Sequence, residues 1–294
     1  MKVISVGQGS SDFVPADDLI VHGDCAVVLP KLPAGFFDAI YIDPPFNTGS
    51  RRTLNHMKTE RDSAGTAGFA GHRYTRKVLS ALSYDDEFDD FAEFIGPKLV
   101  RARELLAQDG TLYFHIDYRE AHYCKVLLDS IFGRTSFLNE IIWAYDYGAR
   151  TTKRWPAKHD TILVYVKDPE QYWFNGDEVD REPYMAPGLQ TAERAAKGKL
   201  PTDVWWHTIV PTNGRERTGY PTQKPEGIVR RMLAASSKPG GWCLDFFAGS
   251  GTLASVASKL GRRFVVVDSN PEAIEVMVQR LGGPQAEQQL SLRA

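Results

Sequence analysis

The chain has few cysteines, no long apolar run and little net charge. Its 294 residues include three cysteines, Cys25, Cys124 and Cys243, which are far apart and form no CxxC pair. Such spacing favours neither a disulfide framework nor a zinc site, and it is typical of a reducing cytoplasm. No apolar stretch approaches the ~18–20 residues of a membrane-spanning helix, and the first residues lack the apolar core of a signal peptide. We therefore expect a cytoplasmic protein with no membrane partner and no metal.

The charge balance is also close to neutral. Lysine and arginine together number 35 and aspartate and glutamate 37, which leaves a formal net charge of −2. This balance disfavours a generic polyanion binder, although local basic surfaces remain open. Hydrophobic residues make up 43% of the chain and charged residues 24%, so global disorder is excluded. The length is about twice that of a typical domain, which favours one large α/β domain or one domain with an elaboration.

Short apolar runs alternate with segments of helical period along the chain. Strands are expected at 19–21, 38–42, 111–116, 161–166, 242–246 and 263–267. Helices are expected at 91–107, 227–236 and 252–260, and another is expected to start near Pro271 and continue to 281. This alternation predicts an α/β fold with a doubly wound, mostly parallel sheet.

Two segments interrupt the alternation. Residues 48–83 are rich in Gly, Arg and Thr without a clear period, and 51–77 carry seven Lys or Arg against two acids. Residues 167–220 are long, irregular and aromatic. Irregular stretches of this length are usually functional loops or a small inserted subdomain. The tail, 286–294, is expected to fray.

The first chemical motif is DFFAGSGT, residues 245–252, which follows a predicted strand and opens a predicted helix. Its glycines allow a ligand to approach the backbone, and a helix N-terminus offers unpaired N–H groups. Asp268 ends the next strand, where an acid can bind the ribose hydroxyls of an adenosine-type cofactor. From the loop alone, a plain glycine turn with a helix-capping Asp remains equally open, because short glycine motifs are weak signals.

The second motif is Asp43-Pro44-Pro45-Phe46-Asn47, at the end of another predicted strand. The two prolines fix the backbone and remove its N–H donors. A carboxylate, a rigid turn and an aromatic ring therefore lie at the sheet edge where open α/β folds bind their ligands. The alternative is a plain strand-ending turn, but this run is rarer than a bare glycine loop, and we favour the functional interpretation.

Together these motifs resemble those of the S-adenosylmethionine-dependent DNA amino-methyltransferases, which methylate the exocyclic amine of adenine (N6) or cytosine (N4). DPPF is similar to the catalytic tetrapeptide of that family, and DFFAGSGT is similar to its cofactor loop. The catalytic motif comes first, which is the order of the permuted beta class. Weaker similarities extend over about two thirds of the chain. They are Gly23-Asp24-Cys25 with Leu29, Leu32, Pro33, Phe37 and Asp38, then Trp143 and Lys158-His159-Asp160, and finally Thr222-Gln223-Lys224-Pro225.

The resemblance implies a Rossmann-like methyltransferase sheet with an inserted target-recognition region, and a catalytic set of Asp43, Pro44, Pro45 and Phe46. An exocyclic amine is a poor nucleophile because its lone pair is delocalised. Asp43 could accept one of its N–H groups and the Pro44 carbonyl the other, while Phe46 stacks on the base. The base must first be flipped out of the duplex. No cysteine is placed for covalent attack, so we predict direct transfer.

The implied cofactor is S-adenosyl-L-methionine. Asp24 and the Cys25 backbone would face its adenine, and Asp268 its ribose. Lys224 would pair with the methionine carboxylate, with Thr222 nearby, and Asp43 also lies where the ammonium is expected. The full set of implied cofactor-binding residues is Asp24, Cys25, Asp43, Thr222, Lys224, Asp245, Phe246, Phe247, Ala248, Gly249, Gly251, Thr252, Asp268 and Ser269. His115 and Asp117 end a predicted strand near this pocket, and we interpret them as structural, with Tyr41 in the core.

The expected partner is double-stranded DNA. The resemblance places the recognition region at 167–220, between the catalytic parts 1–166 and 221–285, with 48–83 as a basic loop insertion. Candidate DNA-binding residues are Arg51, Arg52, Arg150, Lys153, Arg154, Lys158, Asn213, Arg215 and Arg217. For the basic stretches 51–77 and 150–158, ordinary solvated loops are equally open. If they bind DNA, they should share one face. Homodimers are common in the beta class, and the absence of a nuclease motif means that any cleavage would need a separate restriction endonuclease.

Adenine N6 is the favoured target because an Asp opening the tetrapeptide is more typical of adenine enzymes, and cytosine N4 is the alternative. An RNA or protein-amide methyltransferase is disfavoured by the motif order and the TQKP segment. A non-catalytic DNA-binding module would not need both motifs. A nicotinamide dehydrogenase is disfavoured because the loop lacks the third glycine of that fingerprint.

Overall fold

The computed structural model describes residues 1–46, 52–67, 73–84, 91–146 and 150–282, and for 52–67 and 73–84 it describes the backbone alone. The chain divides into two compact units. The larger contains Met1–Pro44 and Ala92–Ala294, and the smaller is Pro45–Phe91.

The described ranges form strands and helices with the following bounds. The strands are β1 (Lys2–Ser5), β2 (Leu19–His22), β3 (Phe37–Ile42), β4 (Arg52–Ala67), β5 (Arg73–Tyr84), β6 (Leu106–Ile116), β7 (Phe137–Ala144), β8 (His159–Val166), β9 (Val204–Trp206), β10 (Trp242–Asp245) and β11 (Arg263–Asp268). The α-helices are α1 (Cys25–Val28), α2 (Phe91–Leu105), α3 (Ala121–Phe132), α4 (Ala192–Lys197), α5 (Glu226–Ser236), α6 (Thr252–Lys259) and α7 (Pro271–Gly282).

The larger unit is built on a nine-stranded sheet in the order β1-β2-β11-β10-β3-β6-β8-β7-β9. β8 runs antiparallel to both of its neighbours, and the other pairs described in this sheet are parallel. The predicted α/β fold with a mostly parallel sheet is therefore confirmed. All of the predicted strands are present within it, as β2, β3, β6, β8, β10 and β11.

The central strands are buried because helices cover both faces of a parallel sheet. Ile20 of β2, Ile40 of β3 and Val265 of β11 are fully buried. Such strands appear in sequence as continuous apolar runs, which is why they could be predicted. α2 buries Ile95, Leu99 and the rest of one face, in the period expected of an amphipathic helix.

Some boundaries differ from the prediction. α2 ends at Leu105, and Leu106 already pairs with Phe37 as the first residue of β6. The register then shifts between Phe37 and Ala39, so the Asp109-Gly110 pair lies inside β6 at an irregularity. β1, β7, β9 and α3 were not predicted. β9 has three residues and β7 is half exposed, so neither has a strong apolar pattern.

The smaller unit contains an antiparallel hairpin of β4 and β5. The basic insertion at 48–83 was expected to be a functional loop or a small inserted subdomain, and its described part forms this hairpin. A two-stranded ribbon is held by backbone hydrogen bonds, which do not require an alternating apolar pattern in the sequence.

The 167–220 segment belongs to the larger unit and contains short elements, among them α4 and the edge strand β9. Salt bridges connect this segment to the rest of the larger unit. The guanidinium of Arg262, itself buried, donates to Glu178 at 2.7 Å and to the Ser237 carbonyl at 3.0 Å. Arg230 pairs with Asp180 at 3.1 Å on the surface. Whether this segment reads DNA stays a prediction. Separately, no helix in the described ranges is long and apolar enough to cross a membrane.

These two ion pairs should differ in their contribution to stability. Arg262→Ala should lower the free energy of unfolding by about 3 kcal/mol, because it leaves buried carbonyls without a donor as well as breaking the pair. Arg230→Ala is the matched control and should cost no more than about 1 kcal/mol, since both partners are exposed to solvent. Urea unfolding of both variants measures the difference. Equal losses would contradict the larger contribution to stability expected of the buried Arg262.

Candidate active site

The carboxyl ends of four neighbouring strands place the glycine loop and Asp43, the first residue of the second motif, at the same edge of the sheet. β2 ends beside β11, where His22 is paired with Asp268, and Asp245 at the end of β10 is paired with Val266. β3 lies on the other side of β10 and leads into Asp43. The structure therefore places Asp24, Asp43, the glycine loop and Asp268 at one edge of the sheet, as expected for a ligand site in an open α/β fold.

The glycine loop has a backbone that other residues could not easily adopt. Gly249 and Gly251 have positive φ values of 50° and 70°. A Cβ on Gly251 would lie 2.6 Å from Cγ of Met277, and one on Gly249 would lie 3.1 Å from Cε1 of Tyr220. These glycines are therefore required both by backbone conformation and by close packing.

Carboxylates hold the ends of this loop. Asp245 is buried, and one of its oxygens accepts the Phe247 N–H at 2.9 Å. Burial raises the pKa of Asp245 well above its ordinary value. Asp268 accepts the Gly249 N–H at 2.8 Å with one oxygen and the Asn270 N–H at 2.8 Å with the other. Burial raises the pKa of Asp268 as well. Both side chains thus stabilise the loop itself.

The remaining cofactor-binding candidates differ in accessibility. The Asp24 carboxylate is exposed and caps α1 by accepting the Ala26 N–H at 2.8 Å. Phe246 and Ala248 are buried, whereas Phe247 is half-buried and Ser269 is exposed. The side chains of Asp245 and Phe246 face the interior, so any contact with a ligand from these positions would come from the backbone.

The TQKP segment connects the two motifs directly. Lys224 Nζ donates to Asp43 Oδ2, and the Lys224 carbonyl accepts the Thr252 hydroxyl at 3.1 Å. Thr222 is exposed and has a φ of 59°, the one positive value outside glycine among the described residues. The Gln223 side chain accepts from Thr218 and donates to the Glu216 carbonyl at 2.7 Å, which fixes the preceding loop.

A cluster of charged side chains that contacts Ser250 and Thr252 of the glycine-loop motif was not predicted. Arg280 on α7 donates to the Ser250 carbonyl and to the Thr252 hydroxyl, both at 3.1 Å, and to Glu226 at 2.8 Å. Burial alone would raise the pKa of Glu226, but hydrogen bonds from Lys259, Ser255 and Arg280 lower it overall. An Arg in an amphipathic helix carries no sequence signal for this role, because its partners are distant in the chain.

One carboxylate oxygen of Asp43 accepts a hydrogen bond and the other has no hydrogen-bond donor within the described residues. Oδ2 accepts from Lys224, whereas Oδ1 is buried and has no hydrogen-bond partner within the described part of the chain. Nδ1 of His115 lies 3.9 Å from Oδ1. A buried acceptor without a donor costs about 1–3 kcal/mol, so a ligand that supplies an N–H would be favoured there. Pro44 is buried, and Pro45 and Phe46 begin the smaller unit.

The cysteines are poor candidates for covalent chemistry. Cys25, Cys124 and Cys243 are all buried, and burial raises the pKa of each thiol to about 12. The thiolate is the nucleophilic form, and it is scarce at neutral pH when the pKa is so high.

Several DNA-binding candidates lie on the surface. Arg150, Lys153 and Arg154 are exposed, and Trp155 beside them is 94% exposed. Lys158 is half-buried, with Nζ 3.9 Å from Asp146. Asn213, Arg215 and Arg217 are exposed in the loop before TQKP. Arg51 lies outside the described residues, and Arg52 is described only as backbone in β4, so a shared face for the two basic stretches stays a prediction.

Gly251→Ala should lower the free energy of unfolding by more than the strain of a positive φ at that position would account for. Its matched control is Gly261→Ala, which has a similar φ of 68° but nothing within 4 Å of the added Cβ. The control should cost about 1 kcal/mol, and Gly251→Ala about 1–3 kcal/mol more because the new methyl meets Met277. Urea unfolding measures both, and titration with S-adenosylmethionine should show weaker binding only for Gly251→Ala. Identical behaviour of the two variants would refute the close-packing argument.

Comparisons with known proteins agree with this geometry. The DNA methylase family model of N6 and N4 methyltransferases matches residues 37–279. The DNA adenine methyltransferase YhdJ of Escherichia coli K12 is 29% identical over 272 residues, covering 89% of this chain and 82% of that protein.

Solved structures share the fold. The M1.HpyAVI–SAM complex has a TM-score of 0.57 at 19% identity and covers 92% of this chain and 100% of its own. The PvuII cytosine-N4-specific DNA methyltransferase has a TM-score of 0.63 at 12% identity, covering 97% and 94%. The family model spans most of the chain, and Asp43 lies with the glycine loop at one sheet edge, so this chain belongs to the DNA methylase family of amino-methyltransferases, whose cofactor is S-adenosylmethionine.

Proposed function

We propose that this protein transfers a methyl group from S-adenosylmethionine to the N6 amine of a flipped adenine in double-stranded DNA. Oδ1 of Asp43 supports this proposal most directly, because it is a buried acceptor that lacks a hydrogen-bond donor within the described part of the chain. The Asp at the first position of the tetrapeptide and the similarity to an adenine methyltransferase favour adenine over cytosine.

Asp43 and Pro44 would activate the amine by accepting its two N–H groups. When both protons are held, the nitrogen loses conjugation with the ring and its lone pair becomes available. The carboxylate would also stabilise the positive charge that develops on the nitrogen as the methyl group passes from sulfur to nitrogen, and it would accept the proton that the methylated nitrogen then loses. Lys224 fixes the other oxygen of Asp43, so the carboxylate presents Oδ1 in one orientation.

The residues at the sheet edge fit the cofactor. Lys224 is a cation suited to the methionine carboxylate, and Asp268 and Asp24 are acids at the ends of adjacent strands, suited to ribose and adenine. When bound, S-adenosylmethionine supplies an electrophilic methyl group. The high pKa of the buried thiols supports direct transfer to the amine without a cysteine adduct.

The region 167–220 would contribute base recognition, with Asn213, Arg215 and Arg217 as the exposed residues of that region suited to base edges. Arg150, Lys153, Arg154 and Lys158 would contact phosphates. We also propose that the protein acts as a homodimer and together with a separate restriction endonuclease. Size-exclusion chromatography tests the homodimer.

The proposed reaction is tested by nucleoside analysis of duplex DNA treated with the protein and S-adenosylmethionine. N6-methyladenine is the expected product. Asp43→Ala should lower kcat by at least about 100-fold, because it removes the acceptor that stabilises the developing charge, whereas Asp43→Asn keeps an oxygen acceptor and should retain more activity. Asp12→Ala, which removes an exposed acid outside the proposed site and recognition region, is the control. Exclusive formation of N4-methylcytosine would contradict the adenine assignment, and full activity of Asp43→Ala would contradict the mechanism.

The exposed cations Lys153 and Arg154 should contribute to DNA binding through contacts with its phosphates. Lys153→Ala/Arg154→Ala should weaken DNA binding equally for cognate and unrelated duplexes, and should reduce the slope of log K against log salt concentration by about 2. The charge-matched control is Lys2→Ala/Arg134→Ala, whose side chains are 65% and 88% exposed elsewhere. Fluorescence anisotropy at several salt concentrations makes the comparison. An unchanged salt slope in the loop variant would remove this loop from the DNA interface.

A further inference from the structure

Trp155 is an exposed tryptophan that has no part in the mechanism above. Of the six tryptophans in the chain it is the most exposed, at 94%, whereas Trp143 and Trp205 are buried in the core. Tryptophan has a large apolar ring system, most of which is usually covered in a folded protein. The indole of Trp155 is therefore available to a partner that offers a flat apolar surface.

The loop that carries Trp155 lies at the same edge of the sheet as the candidate active site. β7 and β8 are antiparallel neighbours, and the Tyr145 N–H donates to the Lys158 carbonyl at 2.9 Å, which closes the loop between them. Ile116, the last residue of β6, pairs with Thr161 near the start of β8. Because β6 runs parallel to β3, the β7–β8 loop is at the edge to which β3 brings its carboxyl end.

Side-chain contacts connect the base of this loop with Asp43. One oxygen of Asp160, in β8, accepts the Tyr145 hydroxyl at 3.0 Å, and the other lies 3.2 Å from Nε2 of His115. His115 is fully buried, and its Nδ1 lies 2.9 Å from the Tyr41 hydroxyl and 3.9 Å from Asp43 Oδ1. The start of β8 is therefore held close to the residue that would bind the target amine.

Trp155 can reach the part of a DNA duplex that the active site would engage. It precedes Asp160 by five residues, so even a fully extended chain would place the two Cα atoms no more than about 18 Å apart. This is shorter than one helical turn of DNA, which is about 34 Å. The exposed cations Lys153 and Arg154 come directly before the indole and suit the phosphates beside it. The loop thus combines a stacking surface with a charge opposite to that of DNA.

Extrusion of the target adenine leaves a gap in the base stack. Unstacking and unpairing the base cost free energy, and apolar side chains that enter the stack are one way in which proteins stabilise a distorted duplex. A flat aromatic ring stacks on the bases that flank such a gap, whatever their identity. Because Trp155 is covered so little by its own protein, its ring would give up few contacts on entering the duplex.

We propose that Trp155 inserts into the duplex at the position that the flipped adenine vacates, while Lys153 and Arg154 contact the neighbouring phosphates. The inserted ring stacks on the flanking bases and so lowers the free energy of the flipped state relative to the paired state. The inference rests on the proposed function, and it identifies a residue outside the catalytic pocket that favours base flipping.

The kinetic test compares a paired with a mispaired target. The cognate site is first identified by sequencing the modified bases of DNA treated with the wild-type protein. On the paired cognate duplex, Trp155→Ala should lower the single-turnover rate of methylation about 10- to 100-fold, because the flipped state loses the stacking of the indole. On the same duplex with a mispaired target adenine the loss should be smaller, because flipping then costs less and limits the rate less.

The binding test uses a duplex with one abasic nucleotide and an intact duplex of otherwise identical sequence, compared by fluorescence anisotropy. Trp155→Ala should weaken binding to the abasic duplex about 10-fold and leave binding to the intact duplex unchanged. Lys153→Ala/Arg154→Ala should weaken binding to both, because phosphates are present in both. Stacking tolerates any sequence, so this measurement does not depend on methylation.

Two variants serve as controls for the ring itself. Trp155→Phe keeps a flat ring and should retain more activity than Trp155→Ala. Val126→Ala removes an apolar side chain that is 70% exposed on α3 and should match the wild-type protein in both tests. Thermal unfolding of Trp155→Ala should be unchanged, because the side chain packs little against the protein.

The outcomes separate this inference from the proposed function. If Trp155 instead lies between two copies of the chain, Trp155→Ala would change the elution volume in size-exclusion chromatography and slow methylation equally on paired and mispaired targets, which would overturn the inference. Unchanged methylation and unchanged binding to the abasic duplex would also overturn it. Absence of methylation by the wild-type protein would overturn the proposed function, whereas a Trp155-dependent preference for the abasic duplex would still show insertion into DNA.

Discussion

The ion pair between Lys224 and Asp43 is the contact on which the arrangement of this site depends. It joins the end of β3 to the segment before α5, and the Lys224 carbonyl in turn accepts from Thr252 at the start of α6. Arg280 and Glu226 hold α5, α6 and α7 together behind this point. Asp43 and the glycine loop are far apart in sequence, and this connected set of polar contacts holds them together at the sheet edge.

Several carboxylates crowd this edge, and the structure gives each a different hydrogen-bonding environment. Asp245 and Asp268 accept backbone N–H groups of the glycine loop, and Asp160 accepts from His115 and Tyr145. Like charges in a buried region repel one another, so each carboxylate needs donors of its own. Among the carboxylate oxygens of the described residues, Asp43 Oδ1 is the one that is buried without such a donor. The acids named above accept internal donors, whereas Asp43 Oδ1 has none within the described residues.

The sequence predicted those parts of the structure whose signal is local. The buried strands β3 and β11 are continuous apolar runs, and the tetrapeptide and glycine loop are contiguous motifs that end such strands. Parallel strands place their carboxyl ends at one edge, so the meeting of Asp43, Gly249 and Asp268 followed from the strand assignments. Arg280, Gln223 and the contact of His115 with Tyr41 could not be predicted, because each depends on which distant side chain lies opposite. The β4–β5 hairpin was missed because backbone pairing leaves no apolar period in its sequence.

The net charge of −2 says little about affinity for DNA, because many of the cations already form ion pairs within the protein. Arg262 and Arg280 are buried and paired with glutamates, and such pairs contribute little positive potential at the surface. Arg150, Lys153 and Arg154, by contrast, are exposed and form no ion pair within the described residues. A phosphate backbone interacts with the cations that solvent can reach. The relevant quantity is therefore the local charge of the exposed loops, and a chain of nearly neutral composition can still present a basic surface.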